Sequence, residues 1–178
     1  MRADARRNRG LIVAAALELF TERGPEASME EIARTAGLGV GTLYRHFPDR
    51  RALLDEITVD TLRRLLEAGR DFAARPIPRW QVLLLIVEHC AGLPLALLKS
   101  PPESGAGHPE VPRLVDALTA LYTQIAEGAQ REGTMRPDIA PEEIVGLLNV
   151  AVCRPGARPD DPLTTVLLDG LKAAPDGS

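Results

Sequence analysis

The chain has 178 residues, a formal net charge of −4 and only two cysteines. Proteins that coat nucleic acid regardless of sequence are basic throughout, so this balance argues against that class but leaves room for a local basic surface. Aromatic residues make up 3% of the chain and hydrophobic residues 45%, so Leu, Ala, Val and Ile supply the apolar mass and favour packed helices over a sheet. These figures predict an all-α protein.

The two cysteines, Cys90 and Cys153, have neither the spacing nor the neighbouring histidines of a zinc site, and one distant pair does not indicate a disulfide framework. We expect reduced thiols inside the fold, with no metal and no cofactor. The apolar stretch 11–17 lacks a cleavage signature for a signal peptide, and the run 82–87 is too short to span a bilayer. The sequence therefore predicts a cytoplasmic protein without membrane contact.

The first predicted helix runs from Ala5 to Arg23, where apolar residues recur at helical spacing. Gly24 and Pro25 are expected to end it. Arginines cluster near the N-terminus, at Arg2, Arg6, Arg7 and Arg9. Two interpretations stay open for this cluster: a flexible arm that meets phosphates or a minor groove, and a solvated terminus without a partner.

Two short helices are predicted next, joined by a turn that contains glycine. Ser28 and Glu31 have the spacing of a capping box, in which each side chain bonds the other's backbone N–H at the start of a helix. Gly37 suits the left-handed residue that follows that helix. A third helix is expected over Val40 to Phe47, and Asp49 caps the one after it. This helix-turn-helix arrangement suits the third helix to a major groove.

The rest of the chain is predicted to be helical in six further segments, for about nine helices in all. These segments are 50–74, 80–90, 95–99, 111–131, 141–152 and 162–173. Gly92 and Pro94 separate the predicted helix at 80–90 from the one at 95–99, and the stretch 100–112 is expected to be an exposed loop. We therefore place a helix-turn-helix domain at residues 1–55 and a helical domain at residues 56–178.

The run GLGVGTLYRHFPDRRALL at positions 37–54 resembles the TetR family of bacterial transcriptional regulators. The likeness extends upstream to cover about residues 8–55. A much weaker likeness to one subgroup involves GTMRPD at 133–138 and LDGL at 168–171. The resemblance implies an all-helical homodimer, joined through its C-terminal helices, that binds double-stranded operator DNA. It also implies a small-molecule effector that binds the C-terminal domain and releases the DNA.

The resemblance also implies DNA-contacting residues on the third helix. Thr42 and the neighbouring Val40 and Gly41 face base edges, where Val40 suits a thymine methyl group. Tyr44 and His46 contact phosphates, to which a hydroxyl and a ring nitrogen donate hydrogen bonds. The alternative for Tyr44 and His46 is packing within the domain.

Three arginines complete the DNA-binding set. Arg45 is the sharpest candidate for reading a base, because its fork matches O6 and N7 of guanine, with an exposed arginine or a phosphate contact as the alternative. Arg50, at the start of the fourth helix, is expected at a phosphate, and Arg6, in the N-terminal cluster, at a phosphate or in a minor groove. Gly39 stands where the family often has a serine, so the third helix loses a hydroxyl contact although glycine still caps it.

Candidate effector-pocket residues are Trp80, His89, Cys90 and Tyr122, followed by Asn149 and Cys153. The alternative for each is plain core, which is the commoner role for such residues. An aliphatic interior with few aromatics favours an apolar or amphipathic effector.

Features of the sequence also suggest two other functions. In a helical enzyme, Cys90 or Cys153 would be the nucleophile with His89 as its base, but neighbours on a helix point about 100° apart, so His89 and Cys90 form a poor dyad. In a protein-interaction module, the fold is kept and operator binding is lost. The acidic balance and the bare Gly39 to Gly41 entry to the third helix are the features that suggest this alternative.

Overall fold

In the computed structural model, residues 2–23, 26–91, 93, 95, 108–154 and 156–173 are described. Within these ranges the chain forms eight helices and no strand, with one isolated bridge between Met135 and Lys172. The predicted all-α fold is confirmed. The helices are α1 (Arg2–Arg23), α2 (Met29–Thr35), α3 (Val40–His46), α4 (Arg50–Ala73), α5 (Arg79–Ala91), α6 (Val111–Arg131), α7 (Pro141–Val152) and α8 (Pro162–Leu171).

The structure corrects one expectation at the N-terminus. The flexible arm is wrong, because α1 is already helical at Arg2. Residues 2–8 contain neither Pro nor Gly, and Ala and Arg are strong helix formers, so nothing local delays the helix. Several other features lie outside the described residues. These are the stops at Gly24, Pro25, Gly92 and Pro94, the predicted ninth helix beyond Leu95, and the loop over 100–107.

The first three helices and the start of α4 share one hydrophobic core. Ile12 of α1, Ile32 of α2 and Leu43 of α3 are completely buried. Burying a side chain of this size contributes about 1.5–3 kcal/mol. Because Leu43 is locked in this core, the remaining residues of α3 are held in a fixed orientation.

The second core is built from the rest of α4 and from α5 to α8. Its first member along the chain is Val59, whereas Ile57 is the last member of the first core. Both residues lie on α4, so this helix is rigidly shared by the two cores. The division of the chain between residues 55 and 56 stays a prediction, close to the place where the cores meet.

The segment after α6 ties α8 to the rest of the second core. Gly133 takes a left-handed φ of 69°. Arg136 then donates its backbone N–H to the Leu171 carbonyl at 3.1 Å, next to the bridge between Met135 and Lys172. The weakly matching motifs at 133–138 and 168–171 therefore meet in a structural contact.

Candidate nucleic-acid interface and ligand cavity

The turn between α2 and α3 is fixed by local hydrogen bonds. The Ser28 hydroxyl accepts from the Glu31 N–H at 3.1 Å, and the Ser28 N–H donates to the Glu31 carboxylate at 2.9 Å. Gly37 has φ 67°, and Leu38 donates its N–H to the Ala33 carbonyl at 2.9 Å. The predicted capping box and left-handed glycine are confirmed, and they set the angle at which α3 leaves α2.

One face of α3 is open to solvent. Val40 is 37% exposed and Tyr44 is 42% exposed, and Gly41 and Arg45 are exposed beside them. Because Tyr44 lies outside the core, packing within the domain does not account for its position. Thr42 is half-buried at the edge of this face. The structure thus places side by side the residues that the sequence assigns to base edges.

The Arg45 side chain lies back along α3. Its Nε donates to the Gly41 carbonyl at 3.3 Å, and one terminal nitrogen donates to the Thr42 hydroxyl at 2.9 Å. These bonds hold the guanidinium beside Thr42 on the exposed face. To bind guanine with both prongs of its fork, Arg45 has to exchange or share the bond to Thr42.

Arg50 points into the domain rather than outward. Its guanidinium donates to the Ala27 carbonyl and lies over the Phe20 ring, 5.3 Å from the ring centre. Its second terminal nitrogen is buried and has no hydrogen-bond partner among the described residues. In this arrangement Arg50 joins α4 to α1 and to the start of α2.

Arg9 is a residue whose position the sequence reasoning missed. Its guanidinium forms two bonds to the Glu56 carboxylate, at 3.0 and 2.8 Å, and donates to the His46 carbonyl at 3.5 Å. It also lies over the Phe47 ring at 4.6 Å. The hydrogen bond from Arg9 lowers the pKa of Glu56 from its ordinary value of 4.5. Arg9 therefore connects α1 and α4 to the C-terminal end of α3.

The other candidates near this end of the domain differ in exposure. Arg6 is exposed on α1 and borders a shallow cavity of about 280 Å³ shared with Arg9, Asp60 and Arg64. His46 is half-buried, and its carbonyl accepts from Arg9. Arg6 thus belongs to the helix surface that replaces the predicted arm.

A second cavity of about 280 Å³ lies in the C-terminal core. It is bordered by α4, α5, α6 and α7 and by Leu95. The lining residues are Leu62, Leu65, Leu83, Ile86, Val87, Cys90, Leu95, Val115, Leu118, Thr119, Tyr122, Ile125, Val145, Leu148, Asn149, Val152 and Cys153. Its volume is just below the range of about 300–1,000 Å³ that is common for small-molecule sites.

The structure separates the predicted pocket residues into two groups. Cys90 and Tyr122 line the cavity, together with Asn149 and Cys153. Trp80 and His89 do not line it. Trp80 is half-buried. His89 is exposed, and its ring centre lies 5.8 Å from that of Phe72, with the two rings nearly perpendicular. Glu88 and His89 are both exposed on α5, and His89 is about 100° around the helix from the buried Cys90.

The sequence reasoning also missed the aliphatic lining of this cavity. On α6 the lining residues recur every three or four positions, as Val115, Leu118, Tyr122 and Ile125. That spacing was visible as an apolar face of the helix. It did not indicate which part of the face lines a cavity and which part packs against a neighbouring helix.

The ionisable groups of the cavity are held neutral by their surroundings. Burial raises the pKa of Cys90 to about 12, Cys153 adds to the increase, and a hydrogen bond from Tyr122 partly offsets it. Burial also raises the pKa of Tyr122 above its ordinary value of 10.0. At neutral pH the thiol of Cys90 and the phenol of Tyr122 therefore both keep their protons.

Comparison with known proteins covers both halves of the chain. Residues 12–57 match the family model of bacterial regulatory proteins of the TetR family. Residues 82–173 match the model of the C-terminal domain of SbtR-like transcriptional regulators. This chain belongs to the TetR family of transcriptional regulators. The family assignment therefore rests on the C-terminal half as well as on the helix-turn-helix.

Individual proteins similar to this TetR-family regulator are also described as transcriptional regulators. The transcriptional regulator UidR of Escherichia coli K12 is 29% identical over 150 residues, which cover 78% of this chain and 74% of UidR. A helix-turn-helix-type regulator of Staphylococcus aureus USA300 is 52% identical over 54 residues, 30% of this chain and 29% of that protein. The crystal structure of a TetR regulator from Mycobacterium vanbaalenii has a TM-score of 0.66 at 31% identity, covering 97% of this chain and 99% of that one.

The last two helices of this TetR-family regulator expose aliphatic side chains. On α7, Leu147 is 40% exposed and Val150 is 59% exposed; on α8, Leu163 is 46% exposed and Val166 is 70% exposed. The two helices contact each other, and the residues that the structure describes leave these four side chains uncovered. None of the helices within the described ranges has the length and hydropathy needed to cross a membrane.

Proposed function

We propose that this TetR-family regulator binds a pseudo-palindromic operator as a homodimer, and represses transcription until a small molecule enters the C-terminal cavity. The observation that carries the proposal is the exposed face of α3, where Tyr44 and Arg45 lie in contact with solvent on a helix held by buried Leu43 and Phe47. A helix held in this way reads a major groove with a few side chains at fixed positions.

The DNA contacts follow from the positions of these side chains. Val40, Gly41 and Thr42 lie toward the N-terminal end of α3, which helix-turn-helix proteins direct at base edges. We assign Tyr44 and His46 to phosphates.

We assign Arg45 to a base, with Arg6 and Arg50 as further phosphate contacts. Arg50 reaches a phosphate only after it leaves the Ala27 carbonyl and the Phe20 ring. Its contribution in the absence of DNA is to hold the domain together.

The proposed dimer uses α7 and α8. Their exposed Leu147, Val150, Leu163 and Val166 would be covered by the same surface of a second copy, as a twofold interface requires. Two α3 helices then face two half-sites whose separation is set by the dimer.

Effector control is proposed to act through α4. Leu62 and Leu65 of α4 line the cavity, and Glu56 of the same helix binds Arg9, which in turn holds the His46 carbonyl at the end of α3. A ligand that shifts α4 therefore changes the position of α3. It does so only if it binds the two conformations with unequal affinity.

We propose no catalytic role for the cavity. With its pKa raised to about 12, Cys90 is a protonated thiol at neutral pH and a weak nucleophile. A regulator of this kind acts beside the chromosome, which places it in the cytoplasm. The helix-turn-helix domain at 1–55 is assigned to DNA, and residues 56–178 to the effector and the dimer.

DNA binding through α3 is tested by fluorescence anisotropy on a labelled random-sequence duplex at about 50 mM salt. The double variant Tyr44→Ala/Arg45→Ala is compared with the native protein over a salt series. We expect weaker binding and a shallower salt dependence for the variant, because it removes one positive charge, the Arg45 guanidinium, from the DNA-facing surface, whereas the neutral Tyr44 hydroxyl displaces no counterion.

The control is Arg131→Ala, which removes an exposed arginine of α6 whose side chain donates to the Glu127 carbonyl of its own helix. It is expected to bind as the native protein does. Equal losses in the two variants would contradict the assignment of α3, and no DNA binding by the native chain would favour a protein-interaction module.

A further inference from the structure

We propose that the effector is an uncharged, mostly apolar molecule whose single polar group takes the hydrogen bond of the Tyr122 hydroxyl. This inference rests on the proposed effector role of the C-terminal cavity and adds the chemical class of the ligand. It also names Tyr122 as the residue through which α4 senses that the cavity is filled.

The lining of the cavity determines the charge of its ligand. Twelve of the seventeen lining residues are Leu, Ile or Val, and none is Asp, Glu, Lys, Arg or His among the residues the structure describes there. An ionised carboxylate or ammonium would lose its hydration without meeting an opposite charge, at a far greater cost than a neutral hydroxyl or carbonyl. A neutral ligand is therefore favoured.

The polar part of the ligand is expected beside Tyr122, which lines the cavity together with Thr119, Asn149 and the two cysteines. Tyr122 forms a hydrogen bond with Cys90, and Cys153 lies close enough to influence both groups. A thiol is a weak hydrogen-bond partner. An alcohol, ester or ketone oxygen is a stronger acceptor and would replace Cys90 at the Tyr122 hydroxyl with a net gain.

Tyr122 also touches the helix that connects the two domains. A Cβ atom placed on Gly69 of α4 would lie 3.2 Å from Cε1 of Tyr122 and 3.0 Å from Cδ2 of Leu121. The Tyr122 ring thus packs closely on α4 at Gly69, where a Cβ atom would require the ring or Leu121 to shift. A ligand that draws the hydroxyl toward itself moves a ring that packs directly on α4.

The test uses three probes with the same eight-carbon chain: 1-octanol, octanoate and octylammonium, at pH 7. Binding is measured on the DNA-free protein by isothermal titration calorimetry, and by the shift of the unfolding midpoint that a ligand of the native state produces. We expect 1-octanol to bind and to raise the midpoint, and the two charged probes to bind at least tenfold more weakly.

Variants assign the polar contact. Tyr122→Phe is expected to weaken 1-octanol binding about 2- to 10-fold, the loss of one hydrogen bond. Leu118→Trp fills the cavity and is expected to abolish binding. The control Thr123→Val removes a hydroxyl from the next position of α6, which does not line the cavity, and is expected to bind 1-octanol as the native protein does.

Octanoate or octylammonium binding as tightly as 1-octanol would overturn the inference, and so would the failure of all three probes to bind. Because the comparison of probes uses the native chain, it does not depend on whether a variant folds. The DNA titration is independent of these measurements. If the protein binds DNA but not 1-octanol, only the proposed class of ligand is wrong. If it does not bind DNA, the proposed function as a DNA-binding regulator is wrong.

Discussion

Among single residues, Arg45 has the most specific expected effect. It is exposed on α3 and is held beside Thr42 by a hydrogen bond of 2.9 Å. If its fork grips a guanine, Arg45→Ala should lose about 1–3 kcal/mol of binding free energy and relax the preference at one base position. Competition binding with operators changed at each position measures this. A uniform loss on every sequence would instead identify a phosphate contact.

Tyr44 is predicted to contribute equally to the binding of every operator DNA sequence. Tyr44→Phe keeps the ring and removes the hydroxyl that we assign to a phosphate oxygen. The variant should weaken every operator by the same factor, about 2- to 10-fold for one hydrogen bond. The same competition series measures the effect, and unchanged affinity would remove this hydroxyl from the contact surface.

The positions of residues were predictable where they belong to one short motif on a single helix. The exposure of Tyr44 and Arg45 could be expected from the motif, because the spacing of its residues along one short helix decides which of them share a face. Arg9 was not assigned a partner because Glu56 is 47 residues away along the chain. His89 and Cys90 are adjacent in sequence, yet only Cys90 lines the cavity, since the rotation of α5 is decided by its packing against other helices.

At the scale of elements, Gly37 determines how α2 passes into α3. Its φ of 67° is unfavourable for an L-residue, while a Cβ placed there would meet nothing within 4 Å. Gly37→Ala should therefore lower the free energy of unfolding by about 1–2 kcal/mol through backbone strain alone. Urea unfolding measures the change.

The matched control for this substitution is Gly10→Ala in α1. A Cβ at Gly10 also meets nothing within 4 Å, and this glycine has no positive φ. Alanine should raise the free energy of unfolding here by up to about 1 kcal/mol, because it is the better helix former. Equal effects of the two substitutions would show that backbone conformation is not the cause.

The ion pair between Arg9 and Glu56 predicts a pH dependence. Because the folded state lowers the pKa of Glu56 below 4.5, the pair stabilises the fold fully above that pH, and its contribution is lost as the pH falls through the lowered folded-state pKa. The two side chains are 41% and 37% exposed, so solvent limits the effect to about 0.5–1 kcal/mol.

The variant Glu56→Gln isolates this contribution. Its free energy of unfolding should fall below the native value at pH 7, and the difference should shrink as the pH approaches 3. Glu67→Gln makes the same change of charge at an exposed position of α4 and serves as the control. A difference that persists unchanged at low pH would contradict a charge-based role for Glu56.

Helix positions were predictable where capping chemistry or periodicity is strong. Ser28 marks the start of α2, Gly37 follows its end, and Gly39 marks the start of α3. Each acts through a side chain or backbone conformation within one turn of the helix. The N-terminal start of α1 has no such signal, since residues 2–8 neither cap nor break a helix. The sequence therefore could not distinguish an arm from a helix there.

At the scale of the whole molecule, the exposed valines of α7 and α8 predict the dimer. Val150→Glu/Val166→Glu would place charge in the proposed interface, where the native side chains are 59% and 70% exposed in the single chain. The dimer dissociation constant should rise by more than about tenfold, since a buried charge without a partner is costly. Light scattering with size-exclusion chromatography measures this.

The control variant is Leu84→Glu, which adds the same charge at an exposed aliphatic position of α5. It is expected to keep the native oligomeric state. A native chain that is monomeric at high micromolar concentration would contradict the dimer, as would a loss of dimer in the control alone.

The all-α architecture was predictable from composition and periodicity, but the cavity was not. Periodicity marks an apolar face of a helix without showing whether that face meets a neighbour or empty space. Tyr122 illustrates the difference, because its ring packs closely at Gly69, 53 positions earlier on α4. Such a fit arises only when both helices are in place.

The most direct test of sequence-specific binding through α3 is selection of the purified protein against random duplex DNA at about 0.15 M salt, with Tyr44→Ala/Arg45→Ala in parallel. The native protein should enrich a palindrome whose half-sites lie about one helical turn or somewhat more apart, and the variant should not. Enrichment of the same palindrome by both proteins, or of none by either, would contradict this account.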